Sequence, residues 1–125
     1  MILGIGVDII EVPRIAAALE RYGERFERRV FSEEEIAYCR RTPVRTAERY
    51  AARFAAKEAF SKAIGTGISM GTRWRDIVVL RLPSGQPTLV LRGGIGERFA
   101  SVRAHVSLTH INALAIAYVV LERVE

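Results

Sequence analysis

The sequence predicts an α+β fold: a mainly antiparallel sheet packed on one long helix, with shorter helices around it. Three observations carry that expectation. The stretch 45–64 holds seven alanines and no glycine or proline, the composition of a strong helix. Apolar, β-branched runs at 2–10 and again over 105–122 read as strands. Between them, DIVVLRL and TLVLR flank a Ser84-Gly85 turn, which is a hairpin pattern.

Taken in order, ILGIGVDII (2–10) is the first strand, uniformly apolar except for Asp8. Pro13 suits a first helical turn, and a helix over 13–22 would turn Ile15, Ala16, Leu19 and Tyr22 inward. Gly23 interrupts it. Ser32 with Glu35 is a capping box that opens a helix near 33–40, and Thr42-Pro43 stops that helix. The long helix over 45–64 ends at Gly65-Thr66-Gly67. A loop runs to Arg75, two strands follow at 76–82 and 88–92, and a short helix is expected over 95–100. HVSLTH and INALAIAYVVLE form two last strands around His110 to Asn112. The order is βααα ββ(α)ββ, with no linker or repeat.

At 125 residues the chain is one domain, 1–125, long enough to bury roughly two-thirds of its unfolded surface. Its residues are 50% hydrophobic and 26% charged, which excludes wholesale disorder. No apolar run reaches the ~18 residues of a membrane span. The start has neither a basic segment nor a small-residue cleavage site, so it does not read as a signal peptide. The single cysteine, Cys39, forms no internal disulfide, and no Cys/His spacing suits zinc. These features point to the cytoplasm.

The net charge of +5 favours anionic partners. The chain uses 17 arginines but only two lysines, Lys57 and Lys62, and 12 glutamates but only two aspartates, Asp8 and Asp76. The exceptions are informative. On the long helix Glu58 and Lys62 fall on one face, about 40° apart, with Ala51, Phe54 and Ala55. They are either an i,i+4 salt bridge at the edge of an apolar stripe or a metal-binding carboxylate beside a phosphate-binding ammonium. A lysine suits phosphate as a compact point charge. Asp8 inside an apolar strand is costly unless paired, hydrogen-bonded or bound to a cation. It either caps a turn or, together with Glu58, supplies the two carboxylates usual for Mg²⁺, with water and phosphate oxygens completing the shell.

His105 and His110, five apart, point to opposite faces of a regular strand, so at most one faces any given pocket. Arg14, Arg21, Arg25 and Arg28 would stack into one basic stripe on a continuous helix, which Gly23 interrupts. They are either a solvated face or a docking face for an acidic helix. Two other classes compete: a basic nucleic-acid-binding module without catalysis, and a structural trimerisation module. The first lacks aromatic–basic interleaving. The second leaves Asp8 and the paired lysines unexplained.

GIGVDIIEVPRI, RFAAKEAFSKAIGTGI and HVSLTHINALAIAYVVLE resemble the holo-acyl-carrier-protein synthases, the small 4′-phosphopantetheinyl transferases, over nearly the whole chain. The resemblance implies their fold and their reaction. The phosphopantetheine arm of coenzyme A moves to a serine of apo-acyl carrier protein, leaving adenosine 3′,5′-bisphosphate and supporting fatty acid biosynthesis. It implies Mg²⁺ as cofactor and a homotrimer with sites between subunits, binding neither nucleic acid nor membrane. By the same resemblance Asp8 and Glu58 hold Mg²⁺, Lys62 meets the coenzyme A phosphates, and Arg53 and His110 line the coenzyme A site. Asp8, Glu58 and Lys62 then carry catalysis, and Arg14, Arg21 and Arg25 meet the carrier protein. Some members place an acid directly after the T-H histidine. Here that position is Ile111, so that acid is dispensable or its work falls to Glu58 or a metal-bound water. The loop 69–75 fits the family pattern poorly and carries no assignment.

Overall fold

The computed structural model describes residues 1–65 and 72–124. The long helix is its centre. β1 (Ile2–Glu11) leads into α1 (Val12–Tyr22), α2 (Glu24–Val30), α3 (Glu33–Arg40) and the long α4 (Thr46–Ile64). The hairpin β2 (Ile77–Arg81) and β3 (Pro87–Leu91), the short α5 (Gly93–Arg98), and β4 (Val102–His110) and β5 (Leu114–Arg123) complete it. The parts of the expected turn 65–67 and loop 69–75 that fall within 66–71 lie outside the described residues.

The strands pair antiparallel, as their composition requires, but in two sheets rather than one. β1–β5–β4 form the larger and β2–β3 the smaller. A cavity of about 580 Å³, lined by Leu89, Leu91, Phe99 and Val106 among others, lies between β3 and β4. A second difference is α2, which the sequence reading left unassigned. Gly23 takes φ +54°, a turn that starts a new helix, and Phe26 then packs edge-on against Phe31 and beside Phe54. In α1, Ile15 is buried and Leu19 packs on the core, but Ala16 and Tyr22 face outward. Arg21 covers the Tyr22 ring.

α4 is buried nearly all round. Ala51, Ala55, Ala56, Ala59 and Phe60 have no exposure, and the inner face of β5 meets them with Ala115, Ala117, Val119 and Leu121. Small side chains on both elements let the backbones approach. The approach is closest at β1. A Cβ added to Gly4 would lie 2.0 Å from the Ala63 carbonyl oxygen, and one added to Gly6 1.9 Å from that of Ala59. Only glycine permits this contact. Asp8 is the next inward position of the same strand, so the two glycines deliver it to the helix.

One stripe of α4 is polar yet buried: Arg53, Lys57 and Ser61, four residues apart. The Lys57 ammonium donates to Glu35 Oε1 at 2.8 Å and to the carbonyls of Trp74 and Ile77. Glu35 also closes the expected capping box with Ser32 and accepts from the Val79 amide at 2.9 Å. One carboxylate thus fastens α3, α4 and β2 together.

Candidate active site

Asp8 and Lys62 meet across β1 and α4: Nζ donates to Oδ1 at 2.9 Å. The Asp8 side chain is 13% exposed and that of Lys62 56%, so the pair sits at a rim. Asp8 Oδ2 is buried and has no hydrogen-bond partner among the described residues. An orphaned carboxylate oxygen in that setting is costly unless a cation or donor reaches it. Glu58, one turn before Lys62, is half-buried beside it. Burial, and then the negative charge of Asp8, push the Glu58 carboxyl above its ordinary value, while Lys62 and Arg14 pull it back. Two carboxylates repelling each other across a partly dry gap, one with a free oxygen, fit a hard divalent cation. No group of three or more His, Cys, Asp or Glu side chains clusters among the described residues, so water or substrate oxygens would complete the shell.

The i,i+4 ion pair between Glu58 and Lys62 is not among the ion pairs of the described residues, because Lys62 turns to the strand instead. Glu58 and Lys62 also do not continue the core. Ala51 and Ala55 are buried on that stripe, and the stripe, though not the rest of the helix, reaches solvent at Glu58 and Lys62.

Arg53 and His110 come together elsewhere, in a cavity of about 400 Å³ lined also by Tyr38, Arg45, Arg49, Arg81, Leu108 and Thr109. Neither Asp8, Glu58 nor Lys62 lines it. Five residues from Arg53 to Glu58 turn the helix by about 140°, which separates the two groups within one chain. Arg53 is 2% exposed, and its Nε has no partner among the described residues. Its one recorded bond goes to the Arg49 carbonyl at 3.4 Å. Burial pushes the guanidinium below its ordinary pKa, yet it stays charged. Arg49 and Arg53 flank the Tyr38 ring at 4.4 and 4.2 Å. Arg45, Arg49, Arg53 and Arg81 form no ion pair among the described residues, and such a concentration of cations suits a multiply charged anion.

His105 and His110 do point to opposite faces. His105 bonds Glu122 on the outer face, and Nδ1 of His110 lies 3.1 Å from Glu48. Sequence reasoning missed Arg45, Arg49, Arg81, Tyr38 and Glu48. The spacing of Arg45, Arg49 and Arg53 by four was the available signal for two of them; Arg81 has no local one. Arg14 and Arg21 are exposed on α1, and Arg25 stands on the separate α2, so the single stripe is broken at Gly23. Arg28 pairs loosely with Glu24 at 3.9 Å.

Residues 4–119 match the family model of the 4′-phosphopantetheinyl transferase superfamily. The chain is 54% identical to a holo-[acyl-carrier-protein] synthase of Methylobacterium radiotolerans, over 98% of this chain and 94% of that one. Its fold matches a holo-(acyl-carrier-protein) synthase from Bacillus anthracis in complex with CoA (3′,5′-ADP), with TM-score 0.83, 39% identity and 98% of each chain covered. A Helicobacter pylori holo-[acyl-carrier-protein] synthase in complex with coenzyme A gives TM-score 0.83 at 31% identity, over 94% of this chain and 99% of that one.

Proposed function

The chain belongs to the 4′-phosphopantetheinyl transferase superfamily, and from that premise we propose that it moves the phosphopantetheine arm of coenzyme A to a serine of an apo-acyl carrier protein. The observation that carries the chemistry is Asp8: one oxygen is held by Lys62, and the other is buried without a partner beside Glu58.

The serine hydroxyl attacks the β-phosphorus of coenzyme A. A bond from the serine oxygen to that phosphorus forms, and the bond to the bridging oxygen breaks, releasing adenosine 3′,5′-bisphosphate. Asp8 and Glu58 are the residues that would hold Mg²⁺, which when bound neutralises and orients the diphosphate oxygens. Lys62, exposed enough to meet the substrate, stabilises the charge that leaves with the bisphosphate. Glu58 receives the serine proton. Glu58 stands on the same rim as Lys62, where the serine must arrive, which puts a carboxylate within reach of that proton. Arg53 and His110 bind coenzyme A through its charged groups in the arginine cavity.

A homotrimer accounts for the separation of the two groups, since the Asp8 group of one copy can face the arginine cavity of the next. An apolar outer face supports such assembly. Ile5, Val7 and Ile9 on β1 and Tyr118 on β5 are each about half exposed. A Val7→Glu variant that stays trimeric by light scattering would remove that interface. Arg14 and Arg21 receive the carrier protein, with Arg25 beside them. Arg14 already acts on Glu58 electrostatically, so the basic surface begins where the serine must arrive. A cytoplasmic setting and a role in fatty acid biosynthesis fit a buried free thiol and this substrate pair. No helix among the described residues is long and apolar enough to cross a membrane.

The test is incubation with coenzyme A, Mg²⁺ and apo-acyl carrier protein, read by intact mass. A carrier that gains the phosphopantetheine group supports the proposal, and an unmodified carrier overturns it.

A further inference from the structure

Glu48 lies on the first turn of α4, and its Oε2 is 3.1 Å from Nδ1 of His110 at the end of β4. The Glu48 side chain is 15% exposed and that of His110 31%, so the carboxylate is the more buried partner and the ring stands at the cavity's mouth. Four arginines line the cavity that His110 enters, Arg45, Arg49, Arg53 and Arg81. Glu48 is the one carboxylate within 4 Å of the ring among the described residues. The next residue in the chain, Ile111, is 64% exposed and has no ionisable group. The acid beside His110 therefore comes from the helix and not from the strand end.

We infer that Glu48 is a positioning residue that holds the His110 ring through Nδ1 and so presents Nε2 to a phosphoryl oxygen of the nucleotide in this cavity. The inference rests on the coenzyme A reading above. In the complex the ring donates through both nitrogens, Nδ1–H to Glu48 and Nε2–H to the phosphoryl oxygen. The carboxylate fixes the ring plane and offsets the repulsion of the arginines. Glu48 itself touches no substrate.

A double-mutant cycle tests this on the full-length protein, using KM for coenzyme A and calorimetric binding of adenosine 3′,5′-bisphosphate. Glu48→Gln keeps the shape and removes the charge. It should raise KM and weaken bisphosphate binding about tenfold, the worth of one charge-assisted hydrogen bond, with kcat within about twofold of wild type. His110→Ala should cost at least as much, and adding Glu48→Gln to it should cost nothing more. Equal binding by Glu48→Gln and wild type, or additive losses, overturns the inference. A lowered melting temperature with an uncoupled cycle also overturns it, since that is a structural role alone. A wild type that binds the bisphosphate but modifies no carrier removes the transferase reading while the cycle still decides Glu48. A wild type that binds no nucleotide overturns both.

Discussion

Lys57 and Glu35 face each other at 2.8 Å with neither side chain exposed. Burial pushes the Lys57 ammonium below its ordinary pKa, and Glu35 opposes that shift. The Lys57 bonds to the Trp74 and Ile77 carbonyls leave α4, α3 and the start of β2 dependent on one cluster. The first lysine of the K-E-A-F-S-K run thus holds the fold, and the second stands at the rim beside Asp8.

Removing one partner leaves an uncompensated buried charge. Lys57→Met is expected to cost about 3–5 kcal/mol in urea unfolding at fixed protein concentration. Adding Glu35→Gln should cost less than the sum of the two single changes, because the pair is coupled. Additive losses would mean that the two residues act independently.

The glycines of β1 set the depth of the site. Gly6→Ala would push a Cβ to 1.9 Å from the Ala59 carbonyl oxygen and 2.8 Å from the Ala63 amide, both backbone atoms that cannot swing aside. The expected cost is about 1–3 kcal/mol or more, with Asp8 carried away from Lys62. Gly94→Ala is the control: its Cβ meets nothing within 4 Å, and it lies in α5. That change should be neutral or stabilising by up to about 1 kcal/mol. Melting curves of the two variants separate close approach from general intolerance of alanine.

The sequence made the elements legible where composition is extreme. Seven alanines announced α4, and Ser32 with Glu35 announced α3. It also marked Asp8, Glu58 and Lys62, because each breaks a local pattern. Three things were hidden. α2 was hidden because Gly23 both ends one helix and starts the next. The burial of Lys57 was hidden because helical periodicity does not tell which lysine finds a carboxylate 22 residues away. The arginine cavity was hidden because Arg81 and His110 reach it through the folding of separate sheets.

Cys39 gives the alkaline side of stability. Burial pushes its thiol up to about 12 from 9.0. The folded state then keeps a proton that the unfolded state loses above pH 9, so stability falls as pH rises. Between pH 8 and pH 10 this group should withdraw roughly 1 kcal/mol. Urea midpoints of wild type and Cys39→Ala, compared at both pH values, isolate it, because other titrating groups are common to both proteins. A difference between the two that does not change with pH would show the thiol ionising equally in both states.

The carboxylate pair gives the last expectation, in which function and stability oppose each other. Asp8→Asn removes a charge that disfavours ionised Glu58, and it gives up only a rim pair with an exposed lysine, which is worth little. In chelator the variant should therefore melt at or above the wild-type temperature. Wild type should gain from Mg²⁺ by mass action, about 2.7 kcal/mol at a hundred times the dissociation constant. The variant should gain almost nothing and transfer no phosphopantetheine. Melting with and without Mg²⁺ reads both effects. An equal Mg²⁺ gain in the two proteins would place the ion away from Asp8, and the orphaned Oδ2 would then need a different partner.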